Sequence, residues 1–421
     1  MENGGTMSGR PLCCLRIAAV LVLTVPAFAF SSPPRPLFGL IPGFSGLPKI
    51  NDRSQASHKS PEETPEGSKA DGSLRISGSL AGEGRWRNIG DVPMSDLYLR
   101  IVEVALETQP ADWVSAIVVL NSEWIGDPLN GGDGTVVVDE AHVDLSLPRL
   151  PFYFVLGKRT QPFGVFETNF ITDPLTQDAY ETKTVGLTAG LNAPLGSDLS
   201  LTLYKGRVLS EHLYASGLFD AGVPTPPLPA ASRVDSWILS GTVNPIPDAW
   251  TVFASCSSEP GAGRRMVTLG FGTQLVVPGL EHLRIGVESM KALSRENAPG
   301  LARSFRESTL SLSVSYQIVL RQGGRNRGVN YLARKSRRIA RPTQISVRYE
   351  TFDDGSRASA LGSWSVRGRA SVGGRYTFYE KGELLAALMF EFGRQSARIS
   401  PAFAGHAPSG YDAYFRLRLD F

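Results

Sequence analysis

The sequence has no long apolar run after its first thirty residues. A membrane-spanning helix needs about 18 consecutive apolar residues, and no stretch of the remaining chain comes near that length. This excludes a helical membrane protein. The formal net charge is only +3, and we expect no nucleic-acid partner.

Cysteine and histidine are also scarce. Cys13 and Cys14 lie in the first thirty residues, so Cys256 is the one cysteine in the rest of the chain. The Cys/His spacing of a metal site is absent. None of the 5 histidines accompanies a nucleophile elbow or another recognisable catalytic motif. We therefore expect no metal, no cofactor and no enzyme activity.

The N-terminus has the pattern of a bacterial export signal. Arg10 and Arg16 precede the short apolar run Ile17–Val25, and Ala27-Phe28-Ala29 forms a small-x-small cleavage site. A permanent N-terminal anchor is the alternative, but the run is short and Pro26 interrupts it. We expect residues 1–29 to be removed as a signal peptide.

Residues 30–72 are rich in Pro, Ser, Gly and charge. Such a composition buries too little apolar surface to order itself, which predicts a disordered periplasmic linker. A small plug or docking domain is the alternative, and it needs more hydrophobic residues than this segment has.

The C-terminus alternates strictly between two kinds of residue. Apolar positions from Tyr411 to Phe421 alternate with Asp412, Tyr414, Arg416, Arg418 and Asp420. A two-residue period over about ten residues fits a tilted membrane strand. A terminal Phe421 on such a strand resembles the signal that the barrel-assembly machinery recognises. A soluble β-sandwich could end in the same way, but the export signal at the other end argues against it.

The same pattern continues from Ser73 onward and predicts a domain over residues 73–421. Leu310, Leu312 and Val314, for example, alternate with Ser311 and Ser313. This indicates an all-β fold, a transmembrane antiparallel up-and-down β-barrel of about sixteen strands, with counts of about fourteen or eighteen left open. The predicted strands are 73–82, 95–106, 112–124, 135–147, 151–160, 183–192, 197–208, 233–244, 248–257, 265–277, 281–290, 306–320, 343–353, 363–378, 382–394 and 411–421.

Two details of this pattern need explanation. Arg100 and Glu103 cannot share one face of a strand unless a bulge intervenes. Prolines, and at one place Lys381-Gly382, mark tight turns at every second connection. Longer loops are predicted near 83–94, 125–134, 161–182, 209–232, 293–304 and 395–410. The basic segment 321–342 is too long for the tight turn expected there. It is either a solvated charge run, a sign of a miscounted strand, or a segment that hangs below or inside the pore.

The loop after the fifth predicted strand carries a distinctive motif. Residues 157–182 read GKRTQPFGVFETNFITDPLTQDAYET. This stretch resembles the G-[KR]-x-x-x-P-F-G segment, followed by S/T-D-P-L-T, of the LbtU-type siderophore porin family. The resemblance implies an outer-membrane barrel that passes ferric siderophores without a large plug. Plugged transporters have about twenty-two strands, and the linker 30–72 is too short to form such a plug.

The chemistry of this loop can also be read without the resemblance. Pro162 and Pro174 fix the backbone at two corners, and Gly164 permits a tight turn between them. Phe163, Phe166, Phe170 and Tyr180 can pack the loop against the wall of a pore. The polar candidates for a constriction are Lys158, Arg159, Glu167, Thr168, Asn169, Asp173 and Glu181. The alternative is that these residues only cap and brace the loop through turn hydrogen bonds.

Charged residues at inward positions predict a mixed wall. The candidates for lumen charges are Arg284, Arg348, Arg416, Arg418, Asp144 and Glu350. In a wet lumen such groups can simply pair with one another. A basic excess near the constriction would instead favour anionic solutes.

These observations predict a porin in the outer membrane of a Gram-negative cell. We expect it to work by diffusion of small solutes, with ferric siderophores first and a general or anion-selective porin for phosphate, carboxylate or sugar as the alternative. The expected partners are outer-membrane lipids and lipopolysaccharide, the barrel-assembly machinery and, if the chain is not a monomer, two further copies in a homotrimer. An outer-membrane enzyme and a structural or adhesin barrel are the rivals from other classes.

Overall fold

A computed structural model describes residues 74–89, 92–127, 134–148, 150–166, 169–216, 218, 233–297, 306–320, 341–355, 365–381, 384–399 and 409–421. The predicted signal 1–29, the predicted linker 30–72 and most of the basic segment 321–342 lie outside these residues. None of the helices in the described ranges has the length and apolarity needed to span a bilayer.

Sixteen strands make up nearly all of the described chain. Each overlaps one of the sixteen predicted strands, so the predicted count is confirmed. The strands are β1 (Leu74–Ile89), β2 (Val92–Ala111), β3 (Val114–Ile125), β4 (Val137–Ser146), β5 (Phe152–Thr160), β6 (Lys183–Ala193), β7 (Ser197–Lys205), β8 (Val234–Ile246), β9 (Trp250–Glu259), β10 (Met266–Val276), β11 (Leu283–Ser294), β12 (Ser308–Leu320), β13 (Arg341–Asp353), β14 (Ser365–Lys381), β15 (Leu384–Ile399) and β16 (Gly410–Asp420).

The strands form one closed antiparallel barrel in sequence order. Each strand pairs with the next, and β1 pairs with β16 from Ser79 opposite Asp420 to Ile89 opposite Gly410. Beyond this ladder, Gly78 and Phe421 exchange two backbone hydrogen bonds of 2.8 and 3.0 Å. Because the first and last strands meet, the sheet has no free edge.

The two ends of the barrel differ in their connections. Leu74, Phe421 and most of the short connections lie at one end, which we call the turn end. It includes a short 3-10 helix at Pro194–Gly196. Most of the longer connections lie at the other end, the loop end, and two of them contain helices: α1 (Leu175–Tyr180) and α2 (Val208–Ala215).

The predicted loop near 83–94 is wrong. β1 continues to Ile89 and pairs there with Val92, the first residue of β2, so two residues connect the strands. Glu83, Arg85 and Arg87 fall in this segment and occupy inward positions of the strand. The predicted loop at 395–410 is also too long, because β15 continues to Ile399.

The two faces of the wall have opposite chemistry. Leu310, Leu312 and Val314 on β12 are exposed on the outside, while Ser311 and Ser315 are buried on the inside. Most of the other strands repeat this inversion, with large apolar side chains such as Leu156, Leu187 and Phe390 exposed. A soluble protein hides such side chains, whereas a lipid-facing barrel presents them.

A bulge lies where the sequence predicted one. Ala81 pairs with Ile101 and Gly82 with Leu99, so Arg100 has no partner on β1. The Arg100 guanidinium lies 3.9 Å from the centre of the Trp124 ring. The extra residue returns Glu103 to the inward face, where Ser79 opposes it.

Candidate pore constriction

The loop between β5 and β6, residues 161–182, is closed at its base by a hydrogen bond between its first and last residues. The Gln161 amide donates to the Thr182 carbonyl over 2.9 Å. Gly164 has a φ of +123°, a conformation that side chains disfavour. A Cβ atom there would come within 2.6 Å of Met290 on β11. The turn predicted at Gly164 is confirmed, and it directs the loop toward the far wall.

The aromatic residues of this loop are buried inside the barrel, as predicted. Phe163, Phe166, Phe170 and Tyr180 are all at most 7 % exposed. Three of them belong to an apolar cluster that combines the loop, α2 and inward wall residues. Its members are Phe163, Phe166, Leu175, Ala179, Tyr180, Tyr204, Leu209, Leu213, Leu218, Ile238, Met290 and Phe352. The wall members of the cluster come from β7, β8, β11 and β13.

Carboxylates on the wall accept the free backbone amides of the loop. Glu288 on β11 accepts the Val165 amide at 2.8 Å and the Thr176 hydroxyl at 2.6 Å. Glu391 on β15 accepts the Ile171 and Thr172 amides at 2.9 and 2.8 Å. These buried charges replace the water that an exposed loop would bind.

Glu350 on β13 completes the set. It accepts the Leu175 amide at 2.8 Å, at the first residue of α1. A negative charge is favourable at this position because the first amides of a helix have no partner within it.

Arginines on the wall donate to the carbonyls of the same loop. Arg348 on β13 donates to the Thr172 carbonyl at 2.9 Å, and Arg416 on β16 donates to the Ile171 carbonyl at 3.0 Å. Arg369 on β14 bonds the Asp173 carbonyl and also donates to Glu350 at 2.7 Å. The loop is therefore held along four consecutive strands, β13 to β16.

Phe170 adds an apolar anchor to this polar set. Its ring lies 4.4 Å from the Arg348 guanidinium. The ring also lies against Gly373 on β14, where a Cβ atom would be only 3.0 Å from it. The ring therefore occupies space that the missing side chain leaves.

The second helix, α2, packs against α1 within the barrel. The His212 ring nitrogen lies 3.0 Å from the Asp178 carbonyl. Glu259 at the end of β9 accepts the amides of Leu209 and Ser210 at 2.9 and 2.8 Å. Sequence reasoning placed a plain loop here and missed α2.

Two partly exposed acids at the loop mark where water reaches it. The side chains of Asp173 on the loop and Glu123 on β3 are each 37 % exposed. Arg100 lies between them, bonded to Glu123 at 2.5 Å and 3.9 Å from Asp173. Since the apolar cluster covers the opposite wall, the accessible part of the lumen at this level borders β2 and β3.

Two acids of the loop have unusual acidity. Burial raises the pKa of Asp178 to about 7, against the opposing effect of Arg369, while Asp173 and Glu350 raise it further. Burial also raises the pKa of Glu181 to about 7, with Lys183 opposing. The charge of the loop therefore changes near neutral pH.

Comparison with known proteins adds evidence for the fold. No family model matches the sequence, and no curated protein matches it. Among solved structures, the outer-membrane channel DcaP of Acinetobacter baumannii superimposes with a TM-score of 0.55 at 11% identity, over 83% of this chain and 97% of that one. OmpF of Salmonella typhi in complex with daunomycin gives 0.54 at 10%, over 83% and 97%. The trimer form of OmpT of Vibrio cholerae gives 0.51 at 11%, over 83% and 99%.

The chain has the fold of an outer-membrane porin. The predicted location, the Gram-negative outer membrane, agrees with these neighbours and with the apolar outer face. At such low identity the likeness establishes the architecture and not the solute. The narrower resemblance to LbtU-type siderophore porins stays a prediction.

The predicted constriction residues have different positions in the structure. Asn169, Asp173 and Glu181 lie on the loop inside the barrel, whereas Glu167 and Thr168 fall outside the described residues. Arg159 is buried on the inward face. The prediction that Lys158 faces the lumen is wrong. Lys158 faces outward like Leu156, and its ammonium donates to the Val138 carbonyl at 2.6 Å. Successive strand residues face opposite sides, so only one of this pair could enter the lumen.

All six predicted lumen charges lie at inward-facing positions of their strands, but their surroundings differ. Arg348, Glu350 and Arg416 contact the loop directly. Asp144 lies 3.8 Å from His142 on β4, while Arg284 and Arg418 lie nearer the turn end. The inward position of Glu391 follows from its place between Phe390 and Phe392, but its hold on the loop could not be read from the sequence.

Proposed function

We propose that this protein is an outer-membrane porin, through which small solutes diffuse along a lumen narrowed by residues 161–182. The observation that carries this proposal is the position of that loop. It lies inside the barrel and is bound to wall residues of β11 and of β13 to β16, while the partly exposed Glu123 on β3 remains beside it. A barrel that served only as an anchor or adhesin has no need of a charged and water-accessible interior.

The proposed setting follows from the outer face. Its exposed apolar side chains contact outer-membrane lipids, and at the loop end they contact lipopolysaccharide. The barrel-assembly machinery recognises β16 through Phe421. A homotrimer is part of the proposal, supported by the trimer form of the OmpT neighbour, with a monomer as the alternative.

For the solute we propose ferric siderophores. The support is the resemblance of residues 157–182 to LbtU-type siderophore porins. Sixteen strands are also fewer than the roughly twenty-two of plugged transporters, which favours diffusion over energy-coupled uptake. A general or anion-selective porin for phosphate, carboxylate or sugar is the competing proposal, because the lumen carries many arginines. Transport is favoured over catalysis by the channel named among the neighbours and by the absence of a catalytic motif in the sequence.

Conductance in planar lipid bilayers tests the pore. Purified protein should give discrete current steps in KCl, and protein unfolded by boiling is the control. Complete absence of steps from correctly folded protein would remove the proposal.

Uptake by cells tests the solute. Cells that carry the gene should accumulate ferric siderophore faster than cells that lack it, and a barrel without residues 165–176 serves as the matched comparison. Equal uptake with and without the gene, alongside normal conductance, would favour the general porin.

A further inference from the structure

Two arginines lie on either side of β15 on the lumen wall, closer to the turn end than the constriction loop. Arg375 on β14 faces Met389 on β15, and Arg418 on β16 faces Ala387 on the same strand. Met389 and Ala387 are successive inward positions of β15, and both are buried. Arg375 and Arg418 therefore border Met389 and Ala387 from opposite sides of β15, with Arg416 opposite Met389 on β16.

These arginines differ from the others on this wall. Arg348, Arg369 and Arg416 all donate to the constriction loop. Among the described residues nothing accepts a hydrogen bond or ion pair from Arg375, and its Nε atom is buried without a partner. Buried donors are normally satisfied, so this position lacks an acceptor.

Charges of both signs lie near Arg375. Arg418 repels it, while Asp420 and Glu380 attract it. Asp420 accepts a hydrogen bond from the Nε of Arg418 at 2.8 Å, so its charge is shared. The terminal nitrogens of Arg418 have no acceptor within the described ranges and stay available to a ligand.

We propose that Arg375 and Arg418 form a binding site for an oxyanion, a carboxylate or phosphate group of a solute in transit. A guanidinium presents its donors as a planar fork that matches two oxygens of such a group. Two forks on one wall hold an anion more strongly than either alone. The inference rests on the proposed porin function and adds a preferred class of solute to it.

The position of the site gives it a role after the constriction. Arg416 holds the loop through Ile171, and Arg418 is the next inward residue of the same strand toward the turn end. A solute that enters from the loop end meets the arginine pair directly after it passes the loop. The anion then leaves the narrow section toward a favourable charge.

Bilayer conductance with added anions tests the site. Inorganic phosphate should reduce the chloride current of the unmodified protein in a saturable way, and acetate in a parallel series shows whether a carboxylate competes equally. In Arg375→Gln the half-blocking phosphate concentration should rise at least tenfold, with Arg375→Lys in between. Arg284→Gln on β11 removes the same charge from another inward position near the turn end and should change the block less than twofold.

Three results would overturn the site. They are an unblocked current in the unmodified protein, an unchanged block in Arg375→Gln, and an equal loss of block in Arg284→Gln, which would indicate a general field effect. If Arg375→Gln fails to form the barrel, Arg418→Gln supplies the same measurement. Absence of any conductance would instead remove the porin proposal itself, so the two failures are distinguishable.

Discussion

At the scale of single residues, Glu391 anchors the constriction loop to β15. Its carboxylate accepts two loop amides and the Thr172 hydroxyl, and it is 2 % exposed. Hydrogen bonds to a charged group contribute about 2 kcal/mol each, and a stranded donor costs about as much. We therefore expect Glu391→Ala to release the loop from β15.

The expected sign of that release is a noisier open-channel current in bilayer recordings, because the loop then samples several positions. Glu107→Ala serves as the control, since Glu107 is an exposed acid near the turn end of β2. A current as quiet as that of the unmodified protein would show that the loop does not depend on Glu391.

Asp178 and Glu181 make a second prediction, on pH. Both pKa values are raised to about 7 by burial, so the acids are neutral at pH 6 and largely charged at pH 8. Because both pKa values are raised from the ordinary 3.8 and 4.5, the docked loop is most stable below those values and loses stability as the pH rises from them to about 7.

The measurement is the ratio of cation to anion permeability. It should increase between pH 6 and pH 8, because the loop gains negative charge. The variant with both Asp178→Asn and Glu181→Gln should show a nearly flat profile over this range. A full increase in that variant would assign the titration to other groups.

The sequence was informative about which residues face inward and less informative about what they touch. Two-residue alternation placed Arg348, Glu350, Arg416 and Arg418 correctly, because a strand in a barrel has only two faces. Their partners come from a loop that is distant in sequence. Contacts such as Arg416 with Ile171 depend on how that loop crosses the lumen, which no local pattern encodes.

At the scale of elements, α2 is a helix that the sequence did not predict. The strands repeat a two-residue pattern over nine or more residues, whereas Val208–Ala215 has only eight, too few for a helical period to stand out. Its stability comes from the apolar cluster and from Glu259, which accepts amides at its first turn. Both lie outside the segment itself.

This dependence predicts the effect of Glu259→Ala. Without the carboxylate, two helix amides and the Ser210 hydroxyl lose their acceptor, and α2 should detach from the cluster. Limited trypsin digestion of the folded barrel should then cut after Arg207, which is 4 % exposed in the intact protein. Glu281→Ala, at an exposed turn, should leave the digestion unchanged. Equal resistance of both variants would contradict the role of Glu259.

At the scale of the whole molecule, the barrel closes where β1 meets β16. The Phe421 ring covers Gly78, and a Cβ atom at Gly78 would lie 2.5 Å from the ring and 2.7 Å from the Glu103 carbonyl. Gly82, on the same outward alternate of β1, has nothing within 4 Å of such an atom. The two glycines therefore allow the same substitution to be compared at a crowded and at an open position of β1.

We expect Gly78→Val to impair closure and Gly82→Val to leave it intact. The measurement is the fraction of unboiled protein that migrates in the compact folded form on a detergent gel. Gly78→Val should lower this fraction severalfold. A normal fraction would mean that the seam tolerates a displaced Phe421 ring.

The constriction loop also has a mechanical consequence. A thin cylinder deforms most easily by flattening to an oval, which changes the distance between opposite walls. Here the constriction loop runs inside the barrel and is attached at β11, at β13 through β16 and at its ends on β5 and β6. Flattening must therefore break buried hydrogen bonds between the loop and the wall. Removing the loop should therefore widen the passage and make the barrel easier to deform. The melting temperature should fall even though no strand has changed.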